Sequence, residues 1–243
     1  MSKIIENVRI LYYNIYMIYE NIIAGNFISR PNRFIAKVNI NGNEETVHVK
    51  NTGRCKELLT ENAKVFCQHF NNNKRKTNYD LISVYKGDRL INMDSQAPNK
   101  VVYEFLLSGI LFTDIEEIKP ESKYKNSRFD FYVKTKSKEV YIEVKGVTLE
   151  ENGIVLFPDA PTQRGIKHIN DLIDAEKDGY EAYIIFVVQM ENVKYFTPNI
   201  KTHPQFGETL KKAKENGVNI LCYDCKVTES TLDINKRVDV KLY

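Results

Sequence analysis

Asp130, Glu143 and Lys145 are the residues of this chain whose types and spacing could do chemistry. They lie in Ser127-Arg128-Phe129-Asp130 and, across a short polar turn, in Tyr141-Ile142-Glu143-Val144-Lys145, which together read as one β-hairpin. Alternation puts Phe129, Phe131 and Val133 on one face of the first strand and Val140, Ile142 and Val144 on one face of the second. The charge is left on the opposite face. A turn centred on Lys136-Ser137 sets Asp130 directly opposite Glu143 and Arg128 directly opposite Lys145. Opposed side chains lie roughly 4.5–5.5 Å apart, and like charges there repel. A divalent cation held by hard oxygen ligands turns that repulsion into coordination. The competing reading is a solvated face carrying an ordinary charge cluster.

Such a hairpin needs a scaffold, and 243 residues with 42% hydrophobic and 11% aromatic content suffice for one large domain or two ordinary ones. No run approaches the ~18 uninterrupted apolar residues of a membrane span. Lys3, Glu6, Asn7, Arg9 and Asn14 break the opening segment, so a signal peptide is not expected either. The expected location is the cytoplasm, with no membrane partner. Cys222 and Cys225 form a C-x-x-C within an expected strand, where a spacing of three puts the thiols on opposite faces. They read as a core and a surface cysteine rather than a zinc or redox pair. The net charge of +3 hides an asymmetry, +6 over residues 1–100 and −3 over 101–243. A basic front half and a carboxylate-bearing back half suit a protein that grips a polyanion and coordinates a metal. A solvated surface accounts for such an excess as well.

Residues 17–86 read as an OB-like β-barrel of five short strands, near 26–30, 33–40, 45–49, 65–70 and 80–84, preceded by an N-terminal extension, 1–16. Its loops carry the nucleic-acid-binding candidates Arg30, Arg33 and Lys74-Arg75-Lys76. Asn51-Thr52-Gly53-Arg54 reads as a turn feeding a single helical turn, with a positive φ at Gly53 and backbone N–H groups forming an anion seat. An ordinary loop and cap is the alternative there. Residues 87–243 read as mixed α/β. A helix over 98–109 carries Glu104, three strands follow at 115–124, 128–134 and 139–148, and a helix over 161–177 opens with Asp159-Ala160-Pro161-Thr162. That helix packs Ile166, Ile169, Leu172 and Ile173 inward and shows Arg164, Lys167, His168 and Asp171 on another face. A strand at 180–189, a helix at 205–216 and strands at 218–227 and 232–242 complete the layer.

Helix, three strands, helix, strand, with Asp on the second strand and Glu-x-Lys on the third, resembles the PD-(D/E)xK nuclease core. Arg30-Pro31-Asn32-Arg33-Phe34, Asn51-Thr52-Gly53-Arg54, the two hairpin segments, and Phe157-Pro158-Asp159-Ala160 through Thr162, Arg164, Gly165, Lys167 and His168 together resemble the sugar fermentation stimulation protein (SfsA) family, over roughly residues 19–242. The resemblance implies a two-domain α+β / α/β fold: an N-terminal OB-like nucleic-acid-binding barrel and a restriction-endonuclease-like mixed sheet flanked by helices. Asp130, Glu143 and Lys145 fall on the nuclease signature, and Glu104 and Glu121 on acidic positions of the family. Phe129 stands where the signature has proline, which is not a ligand. By this likeness Asp130, Glu143 and the Val144 carbonyl hold Mg²⁺ (or Mn²⁺), and Lys145 orients a metal-bound water or stabilises charge on the phosphate. Arg128, Arg164 and His168 are expected to hold the phosphate itself. The implied function is nucleic-acid binding, DNA in preference to RNA, with metal-dependent hydrolysis of phosphodiesters. A non-catalytic DNA-binding regulator of sugar metabolism and a binding module for another polyanion or a protein stay open.

Overall fold

The computed structural model describes residues 17–51, 53–72 and 74–242; Thr52 and the extension 1–16 lie outside the described residues. Asn41 and Gly42 take φ of 53° and 86°, so two residues reverse the chain between β2 (Ile35–Ile40) and β3 (Asn43–Val49). With β1 (Ile22–Asn32), β4 (Lys64–His69) and β5 (Tyr79–Lys86) they form a sheet of order β3-β2-β1-β4-β5, which a parallel β3–β5 pairing closes into a five-stranded barrel. Alternate residues Phe27, Val38, Val47, Val65, Cys67 and Leu81 fill it. A short β6 (Arg89–Asn92) pairs with β5 beyond residue 86.

Helix α1 (Ala97–Leu107) then leads into β7 (Ile115–Tyr124), β8 (Ser127–Thr135) and β9 (Glu139–Val147). A small sheet of β10 (Leu149–Glu151), β11 (Ile154–Phe157) and, later, β13 (Tyr195–Pro198) was not expected from sequence. Between them come α2 (Gln163–Lys177) and β12 (Glu181–Val188), and α3 (Pro204–Glu215), β14 (Asn219–Val227) and β15 (Leu232–Arg237) finish the chain. The large sheet has order β15-β14-β12-β9-β8-β7, with β9, β12 and β14 parallel. This is the restriction-endonuclease-like arrangement, helices on both faces of a mixed sheet.

Several details differ from expectation. The side chain of Thr162, not Pro161, opens α2, accepting the Gly165 N–H at 3.0 Å, because Asp159 is drawn away to the barrel. Cys222 and Cys225 do face opposite ways, but both are buried, one in each layer of core. Phe129 leaves the face of Phe131 and Val133 and joins Tyr141 on the α2 side. The β7–β8 ladder skips Glu121 and Asp130, and Glu121 adopts φ 52°, so the strand rolls there. The charged face of the hairpin is therefore covered by α2, against the competing reading of a solvated face. Among the described residues no helix is long and apolar enough to cross a membrane.

The two units share one apolar cluster, from Phe27 of the barrel to Phe206 of α3. Polar ties reinforce it. The Gln189 side-chain amide donates to Asn92 Oδ1 and the Asp94 carbonyl, and Tyr19 donates to Asp94. Lys86 and Arg89 both meet buried Glu150, each at 2.9 Å. Burial works to raise the Glu150 carboxyl, but Lys86, the Gly153 N–H and Arg89 outweigh it and hold it at about 2, below the ordinary 4.5. A folded-state value below the unfolded one stabilises above 4.5, and the gain is lost as pH falls toward 2. Glu150→Gln is expected to cost about 1–2 kcal/mol at pH 7 after screening, with the gap to wild type in urea midpoint closing between pH 4.5 and 2.

Candidate metal centre and nucleic-acid face

Antiparallel register brings the carboxylates together as the hairpin reading requires, but the regular ladder ends one pair short, at Phe131–Ile142. Beyond it the strands part, and the Val144 N–H donates to Asp130 Oδ2 at 2.7 Å instead of to the backbone. The other oxygen of Asp130 accepts the Asn99 amide of α1 at 2.7 Å. Glu143 is 3% exposed. Its Oε1 takes both the Lys145 ammonium and His168 Nδ1, the latter at 2.5 Å. Arg164 Nε–H points at His168 Nε2 at 3.4 Å, and the lone pair it requires there leaves the ring proton on Nδ1, facing Glu143.

The two carboxyls are pushed in opposite directions. Burial and then the Glu143 charge raise Asp130, against the Val144 N–H, Asn99 and Lys145. Burial alone raises Glu143 too, yet His168 and Lys145 together hold it below the ordinary range. One oxygen is unaccounted for: Glu143 Oε2 is buried with no hydrogen-bond partner among the described residues. Leaving a buried carboxylate oxygen bare costs roughly 1–3 kcal/mol or more. A divalent cation would satisfy that oxygen, with Asp130 near enough for the two charges to couple. No three His, Cys, Asp or Glu side chains converge as a metal cage among the described residues.

Glu104 and Glu121 join Asp130 around a cavity of about 370 Å³ between α1 and the β7–β8 hairpin. Glu104 is half-buried, and burial, with Asp233, pushes its carboxyl up to about 7 against the Met17 N–H and Lys100. Arg128 does not face Lys145; it is exposed and lies 3.7 Å from Glu121.

Among the phosphate candidates, several do structural work instead. The terminal nitrogens of Arg30 donate to four backbone carbonyls, of Arg33, Asn51, Gly53 and Arg54, at 2.7–2.9 Å, which leaves no terminal N–H for phosphate. Arg75 turns onto buried Asp80 and lies 4.0 Å over the Phe70 ring, while Lys74 and Lys76 stay exposed. His168 is buried on Glu143 and reaches no ligand directly. The expected anion seat at Gly53-Arg54 is already filled from within: the Arg54 N–H donates to Asp159 Oδ2 at 3.2 Å. Cys55, not Gly53, takes the positive φ, 45°. Gly53 is required for a different reason, since a Cβ there would stand 2.5 Å from Asp159 Oδ2. Asn51 Oδ1 accepts the Gly53 N–H at 2.8 Å. Arg33, Arg54 and Arg164 remain exposed, the first beside the exposed ring of Phe34. Asn99 was missed by sequence reasoning, although its place five residues before Glu104 on one helix was visible.

Two family models match the chain in order: the SfsA N-terminal OB domain over residues 28–93 and the sugar fermentation stimulation protein RE domain over 96–231. The chain is 65% identical to a sugar fermentation stimulation protein homolog of Clostridium beijerinckii, over 93% of this chain and 100% of that one, and 60% identical to one from Ruminiclostridium cellulolyticum over the same shares. The solved structure of Pyrococcus furiosus SfsA in complex with Ca²⁺ superposes with a TM-score of 0.82 at 27% identity, covering 93% of this chain and 99% of that one. With both domains matched in order and relatives of this identity matched along their whole length, the chain belongs to the sugar fermentation stimulation protein (SfsA) family.

Proposed function

We propose that the protein binds nucleic acid, DNA in preference to RNA, and hydrolyses its phosphodiester bonds with a divalent metal, Mg²⁺ or Mn²⁺. The observation that carries this reading is the bare, buried Oε2 of Glu143 beside Asp130. The Ca²⁺ complex of the Pyrococcus furiosus relative supports a cation in this family. When bound, such an ion polarises a phosphoryl oxygen and lowers the pKa of a coordinated water. Asp130, Glu143 and the Val144 carbonyl would hold it. Lys145, paired with Glu143 and 17% exposed at its side chain, stands where it can steady charge developing on phosphate. His168 fixes the Glu143 carboxylate, and Glu104 and Glu121 lie beyond Asp130.

Exposed cations supply the grip. Arg33 sits on the barrel, Arg54 on the loop that touches Asp159, and Arg164 three residues past Pro161, against His168. They mark a path for the backbone from barrel, residues 17–86 with β6 at its edge, to the site in 87–243, with Lys74, Lys76 and Arg128 as outlying contacts. A nucleic-acid partner places the work in the cytoplasm.

Purified protein with Mn²⁺ is expected to cut single- or double-stranded DNA, and Asp130→Ala to lower the rate about 1000-fold or more. Removing metal with EDTA has the same effect. Salt-sensitive binding without cleavage, equal in wild type and Asp130→Ala, would instead mark a DNA-binding regulator. A second prediction concerns Glu104, whose carboxyl is held at about 7 against an ordinary 4.5. A raised carboxyl favours folding while protonated, so stability falls as pH rises from 4.5 through 7. Glu104→Gln is expected to match wild type in urea midpoint near pH 4.5 and to exceed it above pH 7.

A further inference from the structure

The cavity of about 370 Å³ that reaches Asp130 differs in kind from the basic surface leading to the site. Part of its wall is apolar, from Tyr103, Leu107, Pro120 and Phe131. Tyr103 lies near-parallel to Phe131, at 21° and 6.1 Å between centroids, which sets its ring at little conformational cost, yet the residue stays 38% exposed. Leu107, 48% exposed, and Pro120 complete the apolar lining. Among the described residues the polar lining is largely acidic, from Glu104, Glu121 and Asp130, with Lys100 as its one cation. Phosphate is repelled from such a lining. The part of a nucleic acid that suits it is uncharged, planar and rich in N–H donors.

The geometry points to this cavity as a subsite for an unpaired nucleobase bearing an exocyclic amine, stacked on Tyr103 with the amine offered to Glu104 or Glu121. The inference rests on the nuclease reading, because Asp130 and Asn99 line the cavity and also belong to the candidate metal centre. The occupant is therefore the base next to the phosphate under attack. A base within a duplex cannot enter; it must be single-stranded or flipped out. Carboxylates accept hydrogen bonds from the amines of adenine, cytosine and guanine, and thymine and uracil have none to give. The site so described selects unpaired strands over duplex.

The test uses the full chain, with Ca²⁺ present, and a short single-stranded oligodeoxynucleotide carrying 2-aminopurine, whose fluorescence falls on stacking. Wild type should bind and quench; Tyr103→Ala should bind about tenfold more weakly and lose the quench, while Tyr103→Phe keeps both. Affinity for the same sequence as duplex should not change in Tyr103→Ala. Oligocytidylate should bind more tightly than oligothymidylate in wild type only. Unchanged binding and quenching in a folded Tyr103→Ala overturns the base subsite and leaves the nuclease reading standing, and equal affinity for the two homopolymers overturns the amine assignment. A wild type that binds no nucleic acid at low salt overturns both readings together.

Discussion

A carboxylate 3% exposed in the middle of a sheet is the constraint around which the second domain is arranged. An uncompensated charge there costs roughly 3–5 kcal/mol, comparable with much of a domain's net stability. Lys145 of the same strand supplies one partner to Glu143, and α2 supplies the second. Helix α2 must pass close enough for His168 to reach Oε1, which its Thr162 cap and its buried stripe of Ile169, Leu172 and Ile173 arrange together. Phe129 rolls off its own strand face to pack beside the imidazole, with ring centroids 6.4 Å apart. The β7–β8 ladder skips Asp130, and it is there too that the β8–β9 ladder gives way to a side-chain acceptor. One demand, the pairing of Glu143, thus accounts for the roll, the end of the ladder and the position of a second carboxylate.

The barrel is held to this site by polar groups that pair within the protein. Arg30 is consumed on the carbonyls of Arg33, Asn51, Gly53 and Arg54, and Asp159 accepts the Arg54 N–H. Further along, Lys50 bridges Asp80 of β5 at 3.4 Å and Asp94 at 3.0 Å, and Asp94 accepts the Gln96 N–H just before α1. Helix α1 carries Asn99, so the hydrogen bond on Asp130 is anchored through the barrel wall. Gly146, next to Lys145, lets this seam close, since a Cβ there would stand 2.7 Å from both Gln189 and Pro98. A shared apolar core and these ties make the two domains one packed body at the seam.

Strongly periodic elements were legible in the sequence. β7 runs Ile115–Tyr124 as alternation predicts, α1 and α2 fall within two residues of expectation, and the Asn41-Gly42 turn marks its hairpin. The hairpin register, on which the site depends, was legible because one face had to be apolar. The same Asn-Gly signal at Asn152-Gly153, with φ of 54° and 85°, announces the β10–β11 hairpin and was passed over because the flanking runs are only a few residues long. The fates of Arg30, Arg75 and His168 were not legible. Whether a basic residue meets phosphate or a carbonyl depends on acceptors far away in sequence, and residue type carries no trace of them. Glu104 and Glu121 converge with Asp130 only because α1 crosses beside the sheet's edge strand.

Charge segregation along the chain then takes on a spatial meaning. The excess of +6 over residues 1–100 is not spread as a uniform attractive surface, because part of it is spent on Asp80, Asp94, Glu150 and the carbonyls of Arg33, Asn51, Gly53 and Arg54. Part of what stays exposed, Arg33 and Arg54, lies by the Arg30-ordered loop that reaches Asp159, with exposed Arg164 at the start of α2 shortly after it, while Lys56, Lys64, Lys74 and Lys76 are exposed elsewhere on the barrel. The carboxylates gather on the other side, between α1 and β7. Asp130 and Glu143 lie between the two. A polymer with charged backbone and neutral, amine-bearing bases meets both sides favourably only if phosphates follow the arginines and a base turns toward the acids. Under the proposed function, that orientation would bring the linking phosphate toward Asp130 and Glu143, whose charges are coupled.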